Sequence, residues 1–310
     1  MLNNIDSGVW AKRQKIKLSF KKANTREVED LLESKFNGGF PVLLSSGRGA
    51  IKLIVQEFWK DNNISVFQFA SQCVVNAIQA ASVIPYSRLD FTSEIIHHQW
   101  GYTDSIQGQK PFIEDSCDTF LAEGASVLRL GGRFEIWSLT KILNSRFGAI
   151  VWCRNSKDAQ QLREIRDRTK KSNLFKKRIY RNLRGINSSC YRAWEKMEYK
   201  AFNLSKLECG LIKTDVLKWK EKYLARLNLA EKAYSLFENR YQKYFVLTKI
   251  INRKVNREIA PVVILLSSQE TREEFPLEYL FQFMHKTESG KKPQKYLVYR
   301  FLKDKHLLWS

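Results

Sequence analysis

An aspartate and a lysine stand where two short apolar runs end, and their chemistry is complementary. Asp115 follows residues 112–114 (Phe-Ile-Glu), and Lys141 follows the apolar run 134–139. Each run has the length of a β-strand, so both side chains are expected at the carboxyl ends of strands. Ligands of open α/β sheets bind outside the carboxyl ends of the strands, so the sequence predicts a site there.

This pair of residue types suits a pyridoxal phosphate site. A carboxylate can keep the pyridinium nitrogen of the cofactor protonated, and a lysine amine can carry the cofactor as a Schiff base. Such a lysine must be neutral for part of the reaction cycle, so it needs a desolvated pocket. The structural alternatives are a solvated lysine at Lys141 and a helix-capping carboxylate at Asp115.

A short glycine turn, Ser46-Gly47-Arg48, joins a predicted strand at 40–44 to a predicted helix at 50–60. Backbone amides at the start of a helix bind phosphate readily, and an arginine there can add positive charge. The alternative is a plain turn with a serine cap.

Two adjacent histidines, His97 and His98, follow another apolar run. They have no third ligand at a suitable spacing, so we expect no metal site. His98 is predicted to line the pocket or to satisfy a strand end.

Strands and helices alternate through the first half of the chain, which predicts an α/β fold with a mainly parallel sheet and helices on both faces. The predicted strands are 40–44, 64–70, 83–89, 94–99, 110–113, 133–139 and 147–153, and the predicted helices are 26–35, 50–60 and 72–81. After residue 156 helical patterns dominate, with an apolar stripe over 207–234 and strand-like runs at 261–266 and 296–302. The predicted domains are an N-terminal arm at 1–38, a cofactor-binding α/β domain at 39–154, and a basic helical region with a small C-terminal lobe at 155–310.

Positive charge is concentrated in the second half of the chain. The net charge is +2 over residues 1–153 and +19 over residues 154–310. Such a field attracts sugar nucleotides, acidic lipid headgroups or nucleic acid. The segment 170–184 interleaves Lys and Arg with Phe175 and Tyr180, a pattern that could bind acidic lipid or RNA. No recognised nucleic-acid-binding motif accompanies it, so nucleic acid is not an expected partner.

The cysteines indicate a reducing compartment. They are odd in number and lack metal-ligand spacing, so free thiols and a cytoplasmic location are expected. No apolar run approaches the roughly 20 residues that span a bilayer, and the first residues do not resemble a signal peptide. The five are Cys73, Cys117, Cys153, Cys190 and Cys209.

Five short motifs occur in an order and spacing that resemble a known family. They are SGRGA (46–50), CVVNAI (73–78), HQWG (98–101), EDSCD (114–118) and SLTK (138–141). Together they resemble the sugar-nucleotide aminotransferases of the DegT/DnrJ/EryC1/StrS family, a branch of the fold-type-I pyridoxal phosphate enzymes. The resemblance covers residues 40–155 well and 200–240 weakly.

The resemblance implies roles for the residues that could do chemistry. Lys141 matches the Schiff-base lysine, and Asp115 matches the carboxylate that pairs with the pyridinium nitrogen. Asp118 stands where the family usually has Gln or His, against the cofactor ring or its 3-oxygen.

The resemblance also implies a set of residues around the cofactor phosphate. Ser46, Gly47 and Arg48 match the turn whose amides hold the phosphate, and Ser138 matches a serine that contacts it. Asn203 matches an asparagine offered from the other subunit of a homodimer.

The function implied is transfer of an amino group, from glutamate, to a nucleotide-linked keto-sugar in surface polysaccharide or related sugar biosynthesis. Two other interpretations stay open at this point. One is a family member without activity that serves as a binding or assembly protein. The other is a basic protein associated with RNA or with an anionic membrane surface.

Overall fold

The structure is a computed structural model, and it describes most of the first two thirds of the chain and three later strands. The described residues are 22–67, 70–88, 93–98, 110–117, 119–169, 171, 179–180, 182–183, 186–200, 203–228, 262–266, 280–285 and 294–300. Most of the basic segment 170–184 lies outside them.

Seven strands and seven helices make up residues 25–217 of the described chain. The strands are β1 (Phe40–Leu44), β2 (Asn63–Phe67), β3 (Ile84–Arg88), β4 (Ile95–His97), β5 (Ile113–Asp115), β6 (Phe134–Ser138) and β7 (Ala149–Cys153). The helices are α1 (Thr25–Glu33), α2 (Gly47–Phe58), α3 (Gln72–Gln79), α4 (Leu139–Ile142), α5 (Ser156–Arg168), α6 (Ser188–Glu198) and α7 (Lys206–Leu217).

The seven strands form one sheet in the order β1-β7-β6-β5-β4-β2-β3. Parallel pairing links β6, β5, β4, β2 and β3, whereas β7 runs antiparallel to both of its neighbours, β6 and β1. Because β1 and β6 both oppose β7, they point the same way. Six of the seven strands therefore end at the same edge of the sheet, which confirms the predicted α/β class.

Local sequence explains where the helices begin. Asn24 caps α1 in a capping box with Glu27, and Ser205 does the same for α7 with Glu208. Each pair satisfies two backbone amides that a helix start leaves without partners. Ser46 caps α2 by accepting a hydrogen bond from the amide of Gly49.

The two faces of the sheet are packed differently. One face carries the larger apolar cluster, in which residues of α2, α3 and α5 cover alternate residues of the strands. On the other face, edge-to-face aromatic contacts bring Phe36 against Trp137, Trp152 and Trp219. All four rings are buried, so this aromatic cluster forms the apolar cover of the second face.

A buried ion pair joins α1, β1 and α5. Glu29, on α1, is fully buried; its carboxylate accepts hydrogen bonds from the amide of Leu43 (2.8 Å) and the guanidinium of Arg163 (2.9 Å). Arg166, only 3 % exposed, donates to the same carboxylate. The three partners satisfy a charge that would otherwise be costly to bury.

A second compact unit contains residues 98–103, 118–122 and 220–310. Within it, the ring of Phe120 packs edge-on against Tyr223 and lies under the guanidinium of Arg226. The C-terminal strands β8 (Val262–Leu266), β9 (Leu280–His285) and β10 (Gln294–Arg300) form an antiparallel sheet in the order β8-β10-β9. No helix among the described residues has the length and apolar content to cross a membrane.

Replacing Glu29 with Ala should strongly destabilise the protein, because Arg163 and Arg166 would lose their shared buried carboxylate and Arg166 would keep only the exposed Asp167 as an acidic partner among the described residues. We expect the free energy of unfolding to fall by about 3–5 kcal/mol, measured by urea denaturation. Glu33→Ala, an exposed position on the same helix, should change it by less than about 0.5 kcal/mol. Equal effects of the two substitutions would show that the buried pair does not hold α1, β1 and α5 together.

Candidate active site

The edge at which the six co-directional strands end brings the predicted chemical residues together. β5 ends at Asp115 and β4 ends at His97, and these two residues are directly paired in the sheet. β6 ends at Ser138 and continues into α4, which carries Lys141. β1 ends at Leu44, immediately before the glycine turn. One edge therefore collects side chains that lie up to about a hundred residues apart in the sequence.

Asp115 is buried and held by hydrogen bonds at this position. It is 2 % exposed, and its Oδ2 lies 2.9 Å from Nδ1 of His97. An ionised carboxylate only accepts hydrogen bonds, so Nδ1 of His97 carries the proton. The amide of Cys117 donates to Oδ1 at 3.2 Å.

These contacts fix the ionisation state of Asp115. Burial by itself raises the pKa of this carboxyl, but the charge and hydrogen bond of His97, the charge of Lys141 and the side chain of Cys117 outweigh it. The net result lowers the pKa from 3.8 to about 2. Asp115 is therefore a carboxylate at neutral pH, as a group that pairs with a pyridinium nitrogen must be.

Lys141 lies in the single turn of α4, directly after β6. Its side chain is half-buried, and it is close enough to Asp115 for its charge to lower the pKa of that carboxyl. The sequence prediction placed both residues at strand ends, and the structure brings them into one electrostatic neighbourhood.

The glycine turn approaches the same place from β1. A Cβ atom on Gly47 would lie 3.6 Å from Sγ of Cys117, the residue whose amide binds Asp115. The hydroxyl of Ser46 accepts from the amide of Gly49 at 3.1 Å and donates to the backbone carbonyl of Glu198 at 2.5 Å. The turn is thus both a helix cap and a neighbour of the aspartate.

The side chain of Arg48 packs against α6. Its guanidinium lies over the ring of Trp194, on α6, at 4.4 Å from the ring centroid. The residue is 9 % exposed, so this cation–π contact is largely shielded from water.

The remaining predicted residues lie in three different settings. Ser138 is buried, and its hydroxyl is 2.9 Å from that of Thr140. Asn203 lies near the end of α5, where its amide donates to the hydroxyl of Thr169 at 3.1 Å and its side chain reaches Asp167 at 3.4 Å. Asp118 lies outside the described residues.

The sequence prediction missed the partner of Asp115. Histidine was expected near the pocket, but His98 was the one singled out, whereas His97 makes the bond. The signal was available in part, because His97 and Asp115 each end an apolar run. Pairing them requires knowing that β4 and β5 are neighbours in the sheet.

Glu114, the other acid of the motif, has a structural role on the opposite face. Its two carboxylate oxygens accept hydrogen bonds from the amides of Gly132 (2.7 Å) and Leu130 (3.2 Å). A Cβ atom on Gly132 would meet this carboxylate at 2.7 Å, so only glycine fits there. Glu114 thereby holds the turn that leads into β6.

Two other features do not contribute to the site. A cleft of about 600 Å³ opens at the amino ends of the parallel strands, and Trp59 and Arg133 are among the residues that line it. Arg133 is bound there to Asp158 through two hydrogen bonds. Among the residues that the structure describes, no group of three or more His, Cys, Asp or Glu side chains could hold a metal ion.

The donor set at the carboxyl edge fits pyridoxal phosphate. It offers a buried carboxylate held ionised, a half-buried lysine whose charge lowers the pKa of that carboxyl, and a helix-starting turn that approaches Cys117. These are the groups that the ring nitrogen, the aldehyde carbon and the phosphate of this cofactor require.

Replacing Asp115 with Asn should weaken the dependence of the free energy of unfolding on pH in the acid range. The folded-state pKa of Asp115 lies below its unfolded value, so its contribution is full above about pH 4 and is lost as pH falls toward 2. Between about pH 4 and pH 2, the free energy of unfolding measured by urea denaturation should fall by about 2 kcal/mol less in the variant than in the wild type. Asp61→Asn, at an exposed position, should leave the wild-type loss unchanged; a D115N curve equal to the wild type would contradict the pairing.

Comparison with known proteins identifies a family for this chain. A family model described as "Putative PLP-dependent aminotransferase" matches residues 32–272. No curated protein sequence matches the chain.

Solved structures show the same fold at low sequence identity. Helicobacter pylori PseC, an aminotransferase involved in the biosynthesis of pseudoaminic acid, is 12 % identical with a TM-score of 0.59, over 94 % of this chain and 90 % of that one. A DegT DnrJ EryC1 StrS aminotransferase from Brucella abortus is 11 % identical with a TM-score of 0.58, over 91 % and 87 %. The fold is therefore that of the fold-type-I pyridoxal phosphate enzymes, and the family match over residues 32–272 shows that this chain belongs to the PLP-dependent aminotransferases.

Proposed function

We propose that the protein transfers an amino group from glutamate to a nucleotide-linked keto-sugar. The observation that carries the proposal is that Asp115 and Lys141 both follow strands that end on the same side of the sheet, where Asp115 is buried against His97 and the charge of Lys141 helps to lower its pKa. When bound, pyridoxal phosphate supplies an electron sink that lets a proton leave the carbon bearing the amino group.

Lys141 moves the proton in this proposal. Its Nζ would hold the cofactor between turnovers and would act as the proton carrier. The proton that it takes from the α-carbon of glutamate would go to the cofactor, and the one that it delivers to the former keto carbon of the sugar would come back from the cofactor. Its half-buried position limits the contact of the amine with water.

Asp115 and His97 keep the other end of the site charged. Asp115 pairs with the pyridinium nitrogen, and the hydrogen bond from His97 Nδ1 holds the carboxylate in place. The amides of the turn at Ser46, Gly47 and Arg48 are proposed to bind the phosphate, with Ser138 nearby. Asp118 is proposed to lie against the ring.

The substrate class rests on two supporting observations. The structures that resemble this chain include an aminotransferase involved in the biosynthesis of pseudoaminic acid and a DegT DnrJ EryC1 StrS aminotransferase. The net charge of +19 over residues 154–310 favours a substrate that carries a diphosphate. We further propose a cytoplasmic homodimer in which Asn203 reaches the partner's site, acting in surface polysaccharide or related sugar biosynthesis.

Lys141→Ala should abolish covalent cofactor binding. Purified wild-type protein with added pyridoxal phosphate should show a visible absorption band that borohydride removes, and the variant should show only free cofactor. Lys110→Ala, at an exposed lysine before β5, is the matched control and should keep the band. A wild type without a band at saturating cofactor would overturn the proposal and favour a binding or assembly protein.

The nucleotide should matter to the acceptor reaction. Glutamate should bleach the visible band of the loaded protein, and a nucleotide-linked keto-sugar should restore it about a hundredfold faster than the same sugar without nucleotide. That ratio corresponds to two charge-assisted hydrogen bonds of about 1.5 kcal/mol each. The preference should shrink as salt is added, since salt screens the basic surface. Equal rates with the free sugar would rule out nucleotide recognition while leaving the aminotransferase activity standing.

A further inference from the structure

The carboxyl end of α6 lies directly on the glycine turn. Ser46 Oγ donates to the carbonyl of Glu198 at 2.5 Å, and Ser45 Oγ donates to the carbonyl of Lys200 at 3.3 Å. A Cβ atom on Gly49 would lie 2.8 Å from the Glu198 carbonyl oxygen and 3.2 Å from that of Lys200. Two backbone oxygens are thus packed against the first turn of α2.

α6 also engages the arginine of the turn. The Arg48 guanidinium lies over the Trp194 ring at 4.4 Å. Two of the three residues proposed to hold the cofactor phosphate, Ser46 and Arg48, are therefore occupied by one helix of the same chain.

A phosphate and the end of α6 compete for the same electrostatic position. The start of α2 carries partial positive charge on its exposed amides, and the end of α6 carries partial negative charge on its last carbonyls. The two helix ends attract each other, but a phosphate dianion satisfies the same positive end more strongly.

α6 buries few of its side chains. Among the residues of α6, all of them described, only Trp194 is buried, whereas α2 buries eight residues. A further tie is the hydrogen bond of 2.9 Å from the side chain of Asn76, on α3, to Glu195. Elements with few buried apolar contacts are those that open at low free energy.

We infer that α6 is a strap that closes the phosphate turn and withdraws when the cofactor phosphate binds. The inference rests on the proposed function, because it assigns the turn to that phosphate. In the closed form α6 takes the Ser46 hydroxyl and the Arg48 guanidinium; in the open form both become available to the phosphate. The apparent affinity for the cofactor is then lowered by the fraction of molecules in which the strap is closed.

Loosening the strap should tighten cofactor binding. Trp194→Ala should lower the apparent Kd for pyridoxal phosphate, measured by titrating the visible band, by about fivefold, because one shielded cation–π interaction no longer stabilises the closed form. Asn76→Ala removes the second tie without altering α6 and should act in the same direction, which covers the case that W194A fails to fold. Arg192→Ala, at an exposed position on α6, is the matched control and should leave the Kd unchanged.

Hydrogen exchange gives a readout that does not depend on catalysis. In wild-type protein, the amides of residues 188–200 should exchange faster when pyridoxal phosphate is added, while those of α2 should be protected. A visible band with unchanged affinities in W194A and N76A, and no faster exchange in 188–200, would overturn the strap and leave the proposed function intact. Absence of the band in wild type and both variants would overturn the two together.

Discussion

A carboxylate that stays ionised inside the protein is the constraint on which the rest of the site depends. Asp115 is almost fully buried, and burial alone would favour its neutral form. The opposing contributions come from His97, Lys141 and the side chain of Cys117, which belong to different segments of the chain. All of them must be in place for the charge to survive, so the chemistry requires β4, β5 and the turn after β6 to be assembled together.

The two faces of β5 divide structural and chemical work. Successive residues of a strand point to opposite faces, so Asp115 lies on the face of Ile113 while Glu114 lies on the other. Glu114 holds the amides of the turn before β6, and Glu135, its neighbour in β6, accepts from the amide of Leu128 and the indole of Trp137. Glu114 and Glu135, on one face of the sheet, therefore hold the loop before β6, the strand that leads to Lys141.

The positively charged second half of the chain contacts the glycine turn through backbone carbonyls. α6 lies in that half, and its contact with the turn uses two carbonyl oxygens and a tryptophan ring. Carbonyls at a helix end and amides at a helix start are complementary by geometry and by partial charge. The start of α2 therefore contacts the second half of the chain and is also the proposed binding site of the cofactor phosphate.

The sequence by itself determined the α/β class, the approximate positions of all seven strands of the sheet, and the two residues to which the proposed chemistry is assigned. Apolar runs of strand length, glycine turns and capping residues such as Asn24 and Ser46 are local signals, and local physics suffices to interpret them. The tertiary structure alone decided which strand ends become neighbours. It paired His97 with Asp115, reversed β7, turned Arg48 toward Trp194 and set the end of α6 on the turn, because each of these depends on contacts between segments far apart in the chain. Strand order and helix docking minimise the free energy of the whole assembly, and no single segment carries that information.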